Sequence, residues 1–291
     1  MKLKQVIKKI YKLLPDKLYV QLQYFHQKHR FLNLKHPRTF DEKIQWLKLY
    51  DRQPIYTVMV DKCEAKNYVK EILGSEYIIP TLGVWENFDD IDFDSLPNQF
   101  VLKCTHDSGG LVICRDKNNL DIESAKKKIN SSLKRNYYYH GREWPYKNVK
   151  PRIIAEQYIE DSETVNDVVH GLIDYKFYCF NGKPQFLYVS KGLDNHATAR
   201  ISFLTLDWEF APFERSDFAK FEVLPPKPTK LNEMIKTAEK LSNGHKFLRV
   251  DLYQVGERIL FSEFTFSPCN GTMPCKPKEW EIKLGDLLAL D

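Results

Sequence analysis

The stretch Phe261-Ser262-Glu263-Phe264-Thr265-Phe266-Ser267-Pro268-Cys269-Asn270-Gly271, FSEFTFSPCNG, alternates polar and aromatic residues and then stops at Pro268 and Gly271. Strand side chains alternate with a period of two, which puts Ser262, Phe264 and Phe266 on one face and Phe261, Glu263, Thr265 and Ser267 on the other. The first face reads as core. The second carries a carboxylate, so it is either solvent-facing sheet or the wall of a polar cleft, and the stretch alone leaves both open.

The residues just before it form the other half of a hairpin, KFLRVDLYQVGERILFSEFTF, and add Arg249 and Asp251. An odd-numbered loop around Val255-Gly256-Glu257 sets residues of equal parity on one side, gathering Arg249, Asp251, Glu263 and Thr265 with the two carboxylates diagonal to each other. Such a pair suits a divalent ion, and Mg²⁺ held by one or two carboxylates plus phosphate oxygens is the expected form. The plainer alternative is an Arg249–Glu263 pair on a wet sheet face. Lys103 in FVLKCT and Lys176 in DYKFYCF each stand on the face opposite their apolar neighbours, where a strand lysine is either a solvated edge residue or a phosphate contact. Beside Lys103, the loop HDSGG has consecutive glycines whose N–H groups can approach anionic oxygens. It is not a Walker loop, because GxxxxGK[ST] is absent.

The chain of 291 residues is 43% hydrophobic, enough for one large or two intimate domains. It has no apolar run near the 18 or so residues that a spanning helix needs and no signal-peptide pattern, so a cytoplasmic protein is expected. The six cysteines lack CxxC spacing and read as reduced and structural. A net charge of +5, without long basic runs or aromatic repeats, argues against nucleic acid.

At the N-terminus, Leu3, Val6, Ile7, Ile10, Leu13 and Leu14 at helical spacing against Lys2, Lys4, Lys8, Lys9 and Lys12 predict a basic amphipathic helix. Residues 1–17 either pack on the domain or rest on anionic lipid. A second helix, DEKIQWLKLYD, takes Thr39 or Asp41 as its cap, and a third runs from near Val60 to Gly74. FVLKCTHDSGGLVICRDK predicts a hairpin with its loop at Thr105 to Gly110, followed by a helix over Ile122 to Leu133. After a polar aromatic loop come three strands, RIIAEQYI, DYKFYCF and KPQFLYVS, with a turn at FNGK, and then the helix KLNEMIKTAEKLSNG.

In order, FVLKCTHDSGG, IIAEQYIED, DYKFYCFNGKPQ, FLRVDLY and FSEFTFSPCNG resemble an ATP-grasp protein, most closely the TupA-like branch found with bacterial surface-polysaccharide genes. HPRTFDEKIQWLK and DRQPIYTVMVDKCEAKNYV extend the resemblance from about His36 to the end. It implies an α+β fold: a helical segment over 1–60, then an ATP-grasp region over 61–291 whose subdomains, about 77–158 and about 159–291, clasp ATP. Lys103 and Lys176 would contact phosphates, Ser108, Gly109 and Gly110 would close over them, and Glu156, Gln157, Tyr158 and Ile159 would match the adenine hinge. Asp251 and Glu263 match the Mg²⁺ ligands, and Arg249 a phosphate or acylphosphate stabiliser. Many ATP-grasp enzymes carry Asn where Thr265 stands, and a hydroxyl is the weaker ligand.

In ATP-grasp ligases a carboxylate attacks the γ-phosphate, and an amine then displaces phosphate from the acylphosphate. The resemblance therefore implies a carboxylate–amine ligase acting on a polysaccharide precursor or uronic acid and an amino acid or amine; a kinase on the same fold is the alternative, and a glycosyltransferase or a non-enzymatic partner trails both. Arg142, Trp144, Tyr146 and Lys147, in a loop flanked by Gly and Pro, are candidates for a sugar carboxylate and ring face, or else for packed surface anchors. His26 and His29 lack a third ligand for zinc, and the DxD at Asp90-Ile91-Asp92 reads as a solvated turn.

Overall fold

The computed structural model describes residues 12–160, 172–191 and 199–290. The predicted helix at the N-terminus therefore lies mostly outside the described residues. Two antiparallel sheets organise the rest. The first has the order β1 (Thr81–Trp85), β4 (Ile153–Gln157), β2 (Phe100–Cys104), β3 (Leu111–Cys114). The second has the order β10 (Arg258–Thr265), β9 (Phe247–Val255), β5 (Asp174–Phe180), β6 (Lys183–Lys191), β7 (Arg200–Thr205). A small ribbon pairs β8 (Glu214–Arg215) with β11 (Cys275–Lys276).

Local chemistry explains where the helices begin. Before α1 (Asp16–Lys28) and α2 (Phe40–Tyr50), only the second has a side-chain cap: Thr39 accepts from the Glu42 N–H while Glu42 reaches back to the Thr39 N–H, a capping box. The helix predicted from near Val60 to Gly74 is α4 (Glu64–Leu73), and a short helix that was not predicted, α3 (Ile55–Val60), precedes it. The break comes at Asp61, whose carboxylate accepts from the Cys63 N–H at 2.8 Å and pairs with Arg152 at 2.9 Å. Helix α5 (Ile122–Leu133) is capped by Asp121, and the aromatic loop after it contains a single helical turn, α6 (Tyr138–Gly141). Helix α7 (Leu231–Ser242) buries Leu231, Met234, Ala238 and Leu241, as its periodicity predicts. Helix α8 (Trp280–Asp286) closes the chain, and the sequence reading did not anticipate it.

The first sheet packs one face on α5 through Phe100, Leu102, Cys104, Ile129 and Ala155. The second sheet is covered on one face by α3, α4 and α7, around Met59, Val69, Phe177, Val189, Met234 and Val250. Its opposite face is divided along the strands. One end carries Tyr178, Phe180, Tyr188 and Phe247, packed against Phe40 and Ile44 of α2 and Leu284 of α8. The other end carries charge, because Lys176, Arg249 and Asp251 share the parity of those aromatics. Helices α2 and α3 are thus part of the second sheet's core, whereas α1 buries Tyr19, Val20 and Tyr24 with Leu32 and Leu49 in a cluster of its own.

The hairpin of β9 and β10 departs from the expected register. Its turn has two residues, Gly256 and Glu257, with Gly256 at φ +54°, so the pairs from Val255–Arg258 to Leu252–Phe261 join residues of opposite parity. The register then shifts, leaving Ser262 as an extra residue, and continues as Asp251–Glu263, Val250–Phe264 and Arg249–Thr265. This β-bulge does what an odd loop would have done. It also moves Phe261 to the core face, where its ring lies 4.6 Å from that of Phe264, and it sets the carboxylates directly opposite rather than diagonal. Inserting one residue after Ser262, with the same bulge, should set Glu263 opposite Val250 and Phe264 opposite Arg249, turning Glu263 inward and Phe264 outward. Losing one buried Phe alone costs about 3–5 kcal/mol, so thermal unfolding should show a drop of several degrees or loss of cooperativity; an unchanged transition would show that the bulge does not set the register.

Candidate functional site

The site lies where the free face of the first sheet meets the charged end of the second. On β9 the Arg249 guanidinium donates to Asp251 from Nε at 2.7 Å and from Nη2 at 2.6 Å, and Nη2 also reaches Glu263 Oε1 at 3.1 Å. From β5, Lys176 Nζ donates to Asp251 Oδ2 at 2.7 Å and pairs with Asp174 at 3.3 Å. Asp251 has no exposed surface. Burial alone would raise its pKa, but Arg249 and Lys176 hold it below the usual carboxylate range. Lys176 is buried too, and its pKa lies well above the ordinary value because Asp174 and Asp251 outweigh desolvation.

These contacts revise two sequence expectations. Asp251 has both oxygens engaged by cations, so as placed it anchors Arg249 and Lys176 rather than offering an open metal ligand. Lys176 is turned into that pair rather than toward a cavity. Glu263 differs: its side chain is 41% exposed and, with Thr265, lines a polar cavity of about 650 Å³. No cluster of three or more His, Cys, Asp or Glu suited to a metal occurs among the described residues. One open carboxylate beside a hydroxyl fits Mg²⁺ that keeps waters and phosphate oxygens as its other ligands.

A narrower cavity of about 230 Å³ runs between the sheets. Its walls include Ile79, Val101, Leu111 and Ile113 on one side and Leu172 and Tyr253 on the other, with Gln157, Tyr158 and Ile159 along its edge. Such an apolar slot suits a flat ring. Lys103 stands in it, bonded to Glu156 at 2.6 Å, and Asp174 and Glu263 are close enough to add to the rise in its pKa that Glu156 produces against burial. Glu156 is buried between Lys103 and Lys66; burial raises its pKa, but the two lysines bring it down to about 2. The Glu156 side chain therefore holds two lysines in place, a role the hinge expectation did not include. Lys66, on α4, also donates to the Ile79 carbonyl at 2.7 Å.

The glycine loop is closed on itself. Gly109 and Gly110 donate their N–H groups to Asp107 Oδ1 at 3.0 and 2.9 Å, and Asp107 is further held by Ser132 and by Arg135 at 2.9 Å. The donors predicted for phosphate are taken by a carboxylate of the same loop, and only Ser108 faces the larger cavity.

The aromatic loop splits. Arg142 is a correction: it is 1% exposed, donates to the Lys12 and Leu14 carbonyls at 3.0 and 3.1 Å, and lies over the rings of Tyr19, Tyr138 and Tyr139. Its long guanidinium fastens the chain ahead of α1, away from the cavity wall. Trp144 packs toward the core and Lys147 lies exposed over Tyr138, whereas Tyr146 lines the larger cavity. Beside it, Glu143 is 5% exposed and lines the same cavity; burial lifts its pKa to about 7, with Lys48 and Arg249 opposing.

Sequence reasoning did not single out Lys66, Asp107, Glu143, Asp174 or Tyr253. Asp174 had a signal, since it stands two residues before Lys176 on the same strand. Glu143 had only its place in the candidate loop from Arg142 to Lys147, and Lys66 had none, because a helix residue reaches the site only through packing. His26 and His29 sit at the exposed end of α1, and Asp90 and Asp92 serve turns, as expected.

Comparison with solved structures finds similarity to D-alanine–D-alanine ligases from Bacillus anthracis (16% identity, 72% of this chain and 57% of that one, TM-score 0.40) and Helicobacter pylori (12%, 86% and 66%, 0.46). The ATP-grasp ligase PsnB, complexed with a variant of its minimal precursor, Mg and ADP, gives 8%, 84% and 64%, with a TM-score of 0.43. The match thus spans just over half of the Bacillus anthracis ligase and just under two thirds of PsnB. No curated protein sequence matches the chain. The TupA-like ATPgrasp family, by contrast, matches residues 42–289, which take in both sheets, the lysines and the carboxylates described above. On that match, the chain belongs to the TupA-like ATP-grasp family.

Proposed function

We propose that the protein is an ATP-dependent carboxylate–amine ligase that joins a uronic acid or polysaccharide precursor to an amino acid or amine. The observation that carries this reading is an apolar slot containing Lys103 near a polar cavity containing Arg249, Glu263 and Thr265, with Glu263 close enough to act on the charge of Lys103. The slot suits adenine, with Gln157 to Ile159 at its edge, and Lys103 suits the phosphates. Glu263 and Thr265 are the residues that would hold Mg²⁺, which when bound neutralises phosphoryl charge. Arg249, its Nε and Nη2 fixed by Asp251, lines the same cavity with its fixed positive charge, where it suits an anionic phosphoryl or acylphosphate group. Positioned cations are sufficient for such transfer, so no Ser or Cys nucleophile is required. Lys176 keeps Asp251 charged and thereby orients Arg249.

Contact with an anionic membrane surface belongs to the same proposal. The first 36 residues hold nine lysines and arginines against one acid, Asp16, while the whole chain is only +5. Among the described residues of that segment, Leu13, Leu18, Leu22, Phe25 and Phe31 are exposed, and the rings of Phe25 and Phe31 lie 5.0 Å apart. Apolar side chains beside a cationic segment complement a bilayer of anionic lipid. No helix among the described residues is long and apolar enough to cross one.

Glu263→Gln should lower ADP formation by about 10²-fold or more with little change in melting temperature, because it removes a half-exposed charge from the cavity. Equal turnover would remove Glu263 from the metal site. Asp251→Asn should behave differently and cost about 3–5 kcal/mol in denaturant unfolding, since it leaves Arg249 and Lys176 buried without their anion. Lys103→Met should weaken ATP binding about tenfold or more by calorimetry; an unchanged affinity would refute the phosphate role. A coupled ADP assay across uronic acids, with and without amino acids, separates the ligase from a kinase, because only the ligase makes product release depend on the amine. Sedimentation with anionic vesicles at low salt should carry the full chain down and high salt should release it; no binding at low salt would end the membrane reading.

A further inference from the structure

We propose that the larger cavity binds the amine substrate as its ammonium ion, with Glu143 as the carboxylate that receives it. This rests on the ligase reading and names the group that recognises the second substrate. Glu143 is 95% buried by its 5% exposure, lines the cavity, and has no hydrogen bond or ion pair to its carboxylate among the described residues. Of the neighbouring carboxylates, Asp251 is engaged by Arg249 and Lys176, Asp107 by Arg135 and Asp217 by Arg215, while Glu263, touched by Arg249 through one oxygen, is the residue assigned to Mg²⁺.

The cations nearest in electrostatic terms are committed elsewhere. Lys48 Nζ donates to Gln45 Oε1 at 2.9 Å and to the backbone and side-chain oxygens of Asn270 at 3.2 and 2.6 Å. Arg249 spends its fork on Asp251 and Glu263. A buried carboxylate with nothing to answer it points to a partner that arrives with the substrate.

The position is also built. Gly141 lies so close to Asn270 that an added Cβ would stand 2.0 Å from its Oδ1, which seats the loop carrying Glu143 on the turn that also holds Lys48. Tyr137 and Tyr146, with ring centroids 4.8 Å apart, line the cavity beside Glu143. Aromatic faces and a carboxylate together favour an organic cation. Arg249 and Glu263 line the same cavity, so an amine held by Glu143 shares its space with the groups that face the acyl phosphate in the ligase reading.

The test uses the full chain and saturation-transfer NMR at neutral pH, with ethanolamine and glycinamide as amine probes and ethylene glycol as the uncharged control. The parent protein should bind both amines and not the glycol, and Glu143→Gln should weaken amine binding about tenfold or more, the loss expected when a charged hydrogen bond is removed. ATP affinity in that variant should match the parent's, because the slot containing Lys103 does not include Glu143. Glu143→Asp, which keeps the charge, should retain amine binding at reduced affinity and serves as the measurement if the Gln variant does not fold. Equal amine binding by parent and Gln variant, no binding by the parent, or Mg²⁺ competing with the amine only when Glu143 is present would each overturn the assignment. Failure of the parent to bind ATP would instead sink the ligase reading and leave the amine result to stand by itself.

Discussion

The arrangement depends on one buried carboxylate. Asp251, in the middle of a central strand with no exposed surface, holds Arg249 by two hydrogen bonds and Lys176 by a third. A charge at that depth is tolerated only because the pairing is close and saturated. The consequence is positional: Arg249, on the same strand two residues away, is locked in one direction and meets Glu263 on the next strand. Where a flexible cation would sweep the cavity, this one is fixed before any ligand arrives.

A second anion organises the other sheet in the same way. Glu156 of β4 draws Lys103 from β2 and Lys66 from α4 to one point, and its depressed pKa keeps it charged under any physiological condition. Each sheet thus contributes a carboxylate surrounded by cations, one cluster at the narrower slot through Lys103 and Glu156 and the other at the larger cavity through Arg249. The glycine loop follows the same logic on a smaller scale, with Asp107 engaging the N–H groups of Gly109 and Gly110. Groups suited to anionic ligands are held in place by the protein's own carboxylates.

The bulge at Ser262 connects this electrostatic design to the hydrophobic core. Without it, a two-residue turn would put Phe261 and Phe264 on opposite faces and turn Glu263 and Thr265 together into apolar surroundings. With it, Phe261 and Phe264 both pack inward and the carboxylate remains at the cavity. One inserted residue satisfies the core and the site together.

Much of this was legible in the sequence. Period-two alternation placed Lys103, Lys176, Arg249 and Asp251 on the faces opposite their apolar neighbours, the Asn-Gly turn and Thr39 cap marked element ends, and the ordered segments resembled the family that the comparison then matched. These are local properties, fixed by backbone geometry within a few residues of each position. What the tertiary structure alone decided was which charges meet. Asp251 and Lys176 are 75 residues apart and Lys103 and Glu156 are joined only across a strand pair, so whether a lysine faces a ligand or a carboxylate depends on sheet order and register. Arg142 shows the limit most plainly: its loop composition suited a substrate, yet packing against Tyr19 and the carbonyls before α1 buried it. Glu143, its neighbour, had no distinguishing pattern and reaches the cavity because Gly141 lets the loop settle against Asn270. Burial and long-range pairing are set by the whole fold, and no local window of sequence contains them.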